Sequence, residues 1–302
     1  MNRVDRAIGA IVGTAVGDAL GAPFEFLAAG TFSATGTDEM NGGGSWEPGE
    51  ATDDTQMAVH VGESLLERGG LDLPDIFDRF QRWCAADPMD VGIQTEDVLT
   101  NGHPWDKAAQ VHFEFTMRAA GNGCLMRAVT SAVYFAHRES TMDAARKIAA
   151  LTHGDPAAWE GTAIFHDLIR VALDGGDPLD AIPDALAATE PAYREKYATV
   201  LSPDWHPRMA TESNGAIWPC LGSAVWVLRH TSTFEDAIRT AVDLGHDTDT
   251  VGAVTGGLAG AVYGIGAIPD RWTTKLHVPL PGAGDRVLRL PELVDLAERL
   301  NS

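Results

Sequence analysis

The sequence predicts an all-α fold, a compact single-domain bundle of many helices over residues 1–302. Three observations predict it. Apolar residues recur at three-to-five-residue steps along most of the chain, and runs of alternating β-branched residues are nearly absent. Asp, Thr, Gly and Pro stand where the periodic segments begin and end.

Taken in order, "RVDRAIGAIVGTAVGDALG" places Val4, Ile8, Ile11, Ala15 and Leu20 close to one stripe. Over 55–68, Met57, Val61 and Leu65 fall at steps of four, one face of a helix. The same period predicts helices over 74–84, 105–119, 125–138, 141–152, 157–173, 220–229, 234–243 and 287–300. Gly154, Gly175, Gly176 and Pro178 separate them. Two long loops are expected, 28–51, rich in Gly, Ser and Thr, and 190–216, with Pro191, Pro203 and Pro207. Without a fixed-period repeat or low-complexity linker, one domain is the economical reading.

Composition narrows the function. With 45% hydrophobic and 22% charged residues the chain can bury a sizeable core. A net charge of −21 disfavours general nucleic-acid binding, because such a surface repels phosphate backbones. Cys84, Cys124 and Cys220 are scattered and odd in number, which fits a reducing cytoplasm rather than a disulfide framework. Asp5, Arg6 and Asp18 interrupt the apolar N-terminal stretch, so neither a targeting signal nor a membrane span is expected.

Two acidic clusters carry the chemistry. "EATDDTQMAVHVG" sets Thr52, Asp53 and Asp54 before one helix, and "GHDTDTVGAVTGGLAGAVYG" sets Asp247, Asp249 and Thr250 at the start of another. One capping oxygen suffices for a helix N-terminus, and each cluster alone reads as caps and dipole partners. Together they offer four carboxylates, which repel when buried in one region unless cations neutralise them. Carboxylate and hydroxyl oxygens without Cys or His suit Mg²⁺, Mn²⁺ or Ca²⁺. An EF-hand loop from Asp247 fails, since Val251 and Leu258 occupy ligand positions five and twelve.

"VGTAVGDALGAPFEF", "ATDDTQM", "GNGCLMR", "THGDP" and "GHDTDTVGA" occur in the order and approximate spacing of the ADP-ribosylglycohydrolases, and the resemblance spans residues 8 to about 265. It implies an all-α fold with a cleft holding two divalent cations, Mg²⁺ or Mn²⁺. Their ligands would be Thr52, Asp53, Asp54, Asp247, Asp249 and Thr250, with Asp249 bridging. The implied reaction is hydrolysis at C1 of the distal ribose, releasing ADP-ribose from a modified protein or small molecule. Glu25 would serve as general base or hold the water; Asp90 would contact the distal ribose or act as an acid. Asn122, Gly123 and Cys124 would lie along the diphosphate, with His153 near the phosphates or ribose. Against this, His153 also reads as a helix-end cation, Asp18 as a structural residue capping or bonding near the turn at Gly17 and Gly21, and Arg127 as an ion-pair partner. Where relatives place a stacking aromatic this chain has Ala216, so either Trp218 or a loop aromatic such as Trp205 replaces it or the adenosine end is held differently. A monomer is the default, and a non-catalytic ADP-ribose binder or another nucleotide hydrolase is the competing reading.

Overall fold

The computed structural model describes residues 1–37, 39–117, 120–284 and 286–302. Its helices are α1 (Arg3–Gly21), α2 (Thr31–Ala34), α3 (Asp53–Arg68), α4 (Leu73–Cys84), α5 (Ile93–Thr100), α6 (Ala108–Thr116), α7 (Gly123–Met126), α8 (Val129–Tyr134) and α9 (Arg138–Ala149). There follow α10 (Pro156–Leu173), α11 (Ile182–Ala187), α12 (Pro191–Val200), α13 (Ile217–His230), α14 (Phe234–Val242), α15 (Thr248–Tyr263), α16 (Asp270–Thr273) and α17 (Leu290–Leu300). One antiparallel hairpin, β1 (His277–Leu280) with β2 (Arg286–Arg289), is the only sheet among the described residues. The all-α expectation holds.

Four differences follow from tertiary context. The segment 190–216 is not one loop, since Pro191 starts α12 at a position where its missing N–H costs nothing. The helix expected over 125–138 breaks at Arg127–Ala128 into α7 and α8. Residues 287–289 belong to β2, because Leu288 faces inward between exposed neighbours and pairs with Val278. The helix expected over 105–119 is seen over Ala108–Thr116; residues 118 and 119 lie outside the described residues.

The central axis is the antiparallel pair α1 and α15. Gly9, Gly13, Gly17 and Gly21 fall every four residues on one face of α1 and meet Gly260, Gly256, Gly252 and Thr248. A Cβ on any of these four α1 glycines would lie 2.0–2.4 Å from a carbonyl oxygen of α15, so the backbones pack with no side chain between them. Contrary to the sequence expectation, Arg3–Phe24 is apolar enough by length and composition to cross a membrane; here 89% of that window is buried inside the protein. The seam brings the end of α1 beside the start of α15, which is where the acids lie.

Candidate metal centre and active site

Asp18, one residue beyond the seam glycine Gly17, reaches the first acidic turn. Its carboxylate accepts from the backbone N–H groups of Thr52 (2.9 and 3.1 Å) and Thr55 (3.0 Å) and from the Thr55 hydroxyl (2.5 Å). Asp18 is structural, as expected, but it caps α3 from a different helix rather than bonding near its own turn. Asp18→Ala, stranding those donors, is expected to cost about 3 kcal/mol in urea unfolding, with Asp18→Asn milder because it keeps an acceptor.

That cap releases the local oxygens. Neither Thr52, the N-cap of α3, nor Asp247, the N-cap of α15, makes a side-chain capping bond. The simple N-cap reading therefore fails for Thr52 and Asp247. Instead the two turns meet: the Thr52 hydroxyl lies 3.3 Å from both Asp53 Oδ1 and Asp54 Oδ2, and the Thr250 hydroxyl lies 3.4 Å from Asp54 Oδ2. Glu25, Asp90 and Asp249 each place a carboxylate oxygen within 4.8 Å of the others.

Six carboxylates, those of Glu25, Asp53, Asp54, Asp90, Asp247 and Asp249, line one cavity of about 200 Å³ with Asn122, Gly123, His153 and Thr250. Among the described residues no Lys or Arg lines it. Asp54 Oδ1 and Asp247 Oδ1 are buried without a hydrogen-bond partner. Burial and mutual repulsion push Glu25 and Asp53 up to about 8 and drive Asp54 and Asp249 well above the carboxylate range, and burial raises Asp90 and Asp247. Orphaned hard oxygens in a buried anionic cluster are the donor set that hard divalent cations fit. The site can bind ions.

The repulsion has a signed consequence. Glu25 and Asp53 titrate near 8 when folded, against ordinary values of 4.5 and 3.8, so the folded state holds extra protons between about pH 4 and 8. Stability therefore falls as pH rises through that window in metal-free protein. In EDTA the Tm contributed by this cluster is expected to drop from pH 5 to pH 8, and saturating Mg²⁺ or Mn²⁺ to remove most of the drop. A Tm difference between EDTA and metal that does not grow over that range would contradict it.

The remaining residues form the neutral wall. The Asn122 amide donates to Asp247 Oδ2 (3.0 Å) and to the Asn214 carbonyl (3.1 Å). Gly121 and Gly123 flank His153, and a Cβ on either would stand 3.3 Å from its ring. His153 is not a helix-end cation: it lies beyond the end of α9, fully buried, and burial holds its imidazole neutral. Cys124 sits apart from the cavity wall, its thiol buried 3.8 Å from the Gly121 and Ala158 carbonyls, so only its backbone could serve a ligand. Arg127 pairs with no acid among the described residues; buried, it donates to the Ile148 carbonyl and lies over the Phe80 ring.

Neither candidate tryptophan reaches the cavity. Trp205 is buried against Gly222 and Val200, and the Trp218 ring is covered by Lys196 Nζ at 3.2 Å from its centroid. Sequence reasoning missed Asn214, which accepts from the Asp247 N–H (3.2 Å) and donates to the Gly245 carbonyl (3.0 Å), clamping the second acidic turn. The Asn214–Gly215 pair was a turn signal, but nothing local ties it to Asp247.

The model of the ADP-ribosylglycohydrolase family matches residues 1–302. The chain belongs to the ADP-ribosylglycohydrolase family. It is a hydrolase-family enzyme, and its relatives match over three quarters or more of their own lengths in the two comparisons that follow. It is 31% identical to the ADP-ribosyl-dinitrogen reductase glycohydrolase of Rhodospirillum rubrum, over 91% of each chain. It is 29% identical to an ADP-ribosylarginine hydrolase of Serratia proteamaculans, over 90% of this chain and 75% of that one. A solved structure described as an ADP-ribosylglycohydrolase-related protein complex superposes with a TM-score of 0.80 at 37% identity, covering 99% of this glycohydrolase chain and 98% of its own.

Proposed function

We propose that this glycohydrolase cleaves the bond from C1 of the distal ribose to an ADP-ribosylated arginine side chain and releases ADP-ribose, working as a cytoplasmic monomer with Mg²⁺ or Mn²⁺. The carrying observation is the single cavity into which six carboxylates converge with two orphaned oxygens. Thr52, Asp53, Asp54, Asp247, Asp249 and Thr250 would hold two dications, which supply Lewis-acid polarisation of water and sugar hydroxyls. A cavity walled by carboxylates favours a cationic acceptor such as a guanidinium over a neutral ester, and the relative from Serratia proteamaculans bears an arginine-acceptor name.

Glu25 takes a proton from the attacking water, whose oxygen bonds to C1 as the glycosidic C–N bond breaks. Asp90, beside Glu25 in a protonation-prone setting, supports the departing side. His153, Asn122 and the Gly121–Gly123 backbone supply neutral donors for the diphosphate.

The test is ADP-ribose release from an ADP-ribosyl-arginine peptide, followed by chromatography with Mg²⁺, with Mn²⁺ and after EDTA. Release abolished by EDTA and restored by either metal supports the reading; inorganic phosphate instead would make the protein a phosphatase, and no product a binder. Glu25→Gln is expected to lower kcat by about 10²–10⁴-fold with metal content unchanged. Unaltered turnover would remove Glu25 from the chemistry.

A further inference from the structure

Large apolar side chains stand exposed next in the chain to the acids of the cavity. Phe26 follows Glu25 and is 82% exposed, Met89 precedes Asp90 and is 58% exposed, and Ile93 lines the cavity while 80% exposed. Glu25 and Asp90 are themselves within carboxylate reach of each other, so the segments that carry Phe26 and Met89 come together at the cavity that Ile93 lines. Large apolar groups this exposed at the mouth of a charged site are the usual mark of a contact surface.

The backbone around Phe26 strengthens the point. Phe26 has φ +62° and His246 φ +63°, both in the left-handed region that non-glycine residues avoid. Two backbone hydrogen bonds hold them, Phe26 N–H to the His246 carbonyl (2.6 Å) and His246 N–H to the Leu27 carbonyl (2.8 Å). Packing does not explain an aromatic residue here, because its ring buries little. Strain kept in place by surrounding bonds, next to a reacting group, points to a contact made with something else.

We propose that Phe26, Met89 and Ile93 form a hydrophobic collar that reads the residues flanking the modified arginine of a polypeptide substrate, selecting segments with large apolar neighbours. The inference rests on the arginine-hydrolase reading above. Its occupant is set by continuity and charge. Ile93 belongs to both collar and cavity, so a chain whose cationic side chain enters the acidic cavity lays its adjacent residues on the collar. In an extended segment those neighbours stand about 3.3 Å further along per residue, within reach of a rim one side chain wide.

Two ADP-ribosyl-arginine peptides test it, one with Leu and Phe beside the modified arginine, the other with Ser on both sides. The wild-type protein is expected to favour the apolar peptide at least tenfold in kcat/KM. The double variant Phe26→Asn, Met89→Ser is expected to bring the ratio within twofold, since Asn tolerates the left-handed backbone while removing the ring. Phe26→Gly relieves the strain, so its Tm is expected to be no lower than wild type while the preference shrinks. ADP-ribose release from both peptides at equal efficiency would overturn the collar and leave the hydrolase reading standing. A double variant that keeps the tenfold preference would also overturn it. No release from either peptide would overturn the hydrolase reading and the collar with it.

Discussion

Asp249→Asn is expected to lower kcat/KM for ADP-ribose release by at least about 10³-fold while raising the Tm of the metal-free protein. The two effects have one cause. Asp249 is fully buried beside Asp54, Asp247 and Glu25, and burial with their charge drives its carboxyl far above the ordinary range. Removing one charge relieves that repulsion, and Asn can still accept the Thr250 N–H that Asp249 Oδ1 accepts at 2.8 Å. The same change removes an oxygen that the proposed cations would use, and a 10³-fold loss corresponds to about 4 kcal/mol of transition-state stabilisation. Metal analysis and a thermal melt with and without Mn²⁺ check it. The variant should bind less metal, melt about 2 °C or more above wild type in EDTA, and gain less from metal. A lower melt in EDTA together with normal turnover would show that the acids are structural and not a cation site.

Gly17→Ala carries the second large effect, on stability. Its Cβ would stand 2.0 Å from the Gly252 carbonyl oxygen and 2.4 Å from its carbon, both backbone atoms that cannot rotate away. The helices must separate, and a forced separation in a packed core costs about 3 kcal/mol or more. Activity should fall further than stability alone explains, because Asp18 follows Gly17 and Asp249 opens the facing helix. Gly266→Ala is the control, with nothing within 4 Å of its added Cβ and an expected change within about 0.5 kcal/mol. Urea unfolding of both variants distinguishes a seam from a generally fragile chain. Equal losses at the two positions would refute the seam.

The same seam shows how much of the protein is legible one residue after another. Helix periodicity identified α1, α3, α4, α9, α10, α13 and α14, because apolar residues recur along each at a helical spacing, although α1 is buried on every side from Ala7 to Gly21. It overlooked α2, α5, α11 and α16, which are too short to show that period, read α12 as part of a loop, and merged α7 with α8 across the break at Arg127. It read strand residues 287–289 as helix, since a strand of four residues alternates too briefly to announce itself. The acids were legible for a different reason. Two clusters of adjacent oxygens exceed what two helix caps need, and that surplus is visible without any coordinates.

Sequence alone determined the residue types: hard oxygen donors in two turns, glycines at every fourth position, a neutral glycine-rich segment at 121–123, and an acidic chain overall. Tertiary structure alone decided what those oxygens are free to do. Asp18 caps α3 from 34 residues away, Asn214 clamps Asp247 across 33, and the α1–α15 seam joins turns nearly two hundred residues apart. Whether a carboxylate caps a helix or is left orphaned depends on which donors reach it. Those donors come from distant segments, and only packing sets their positions.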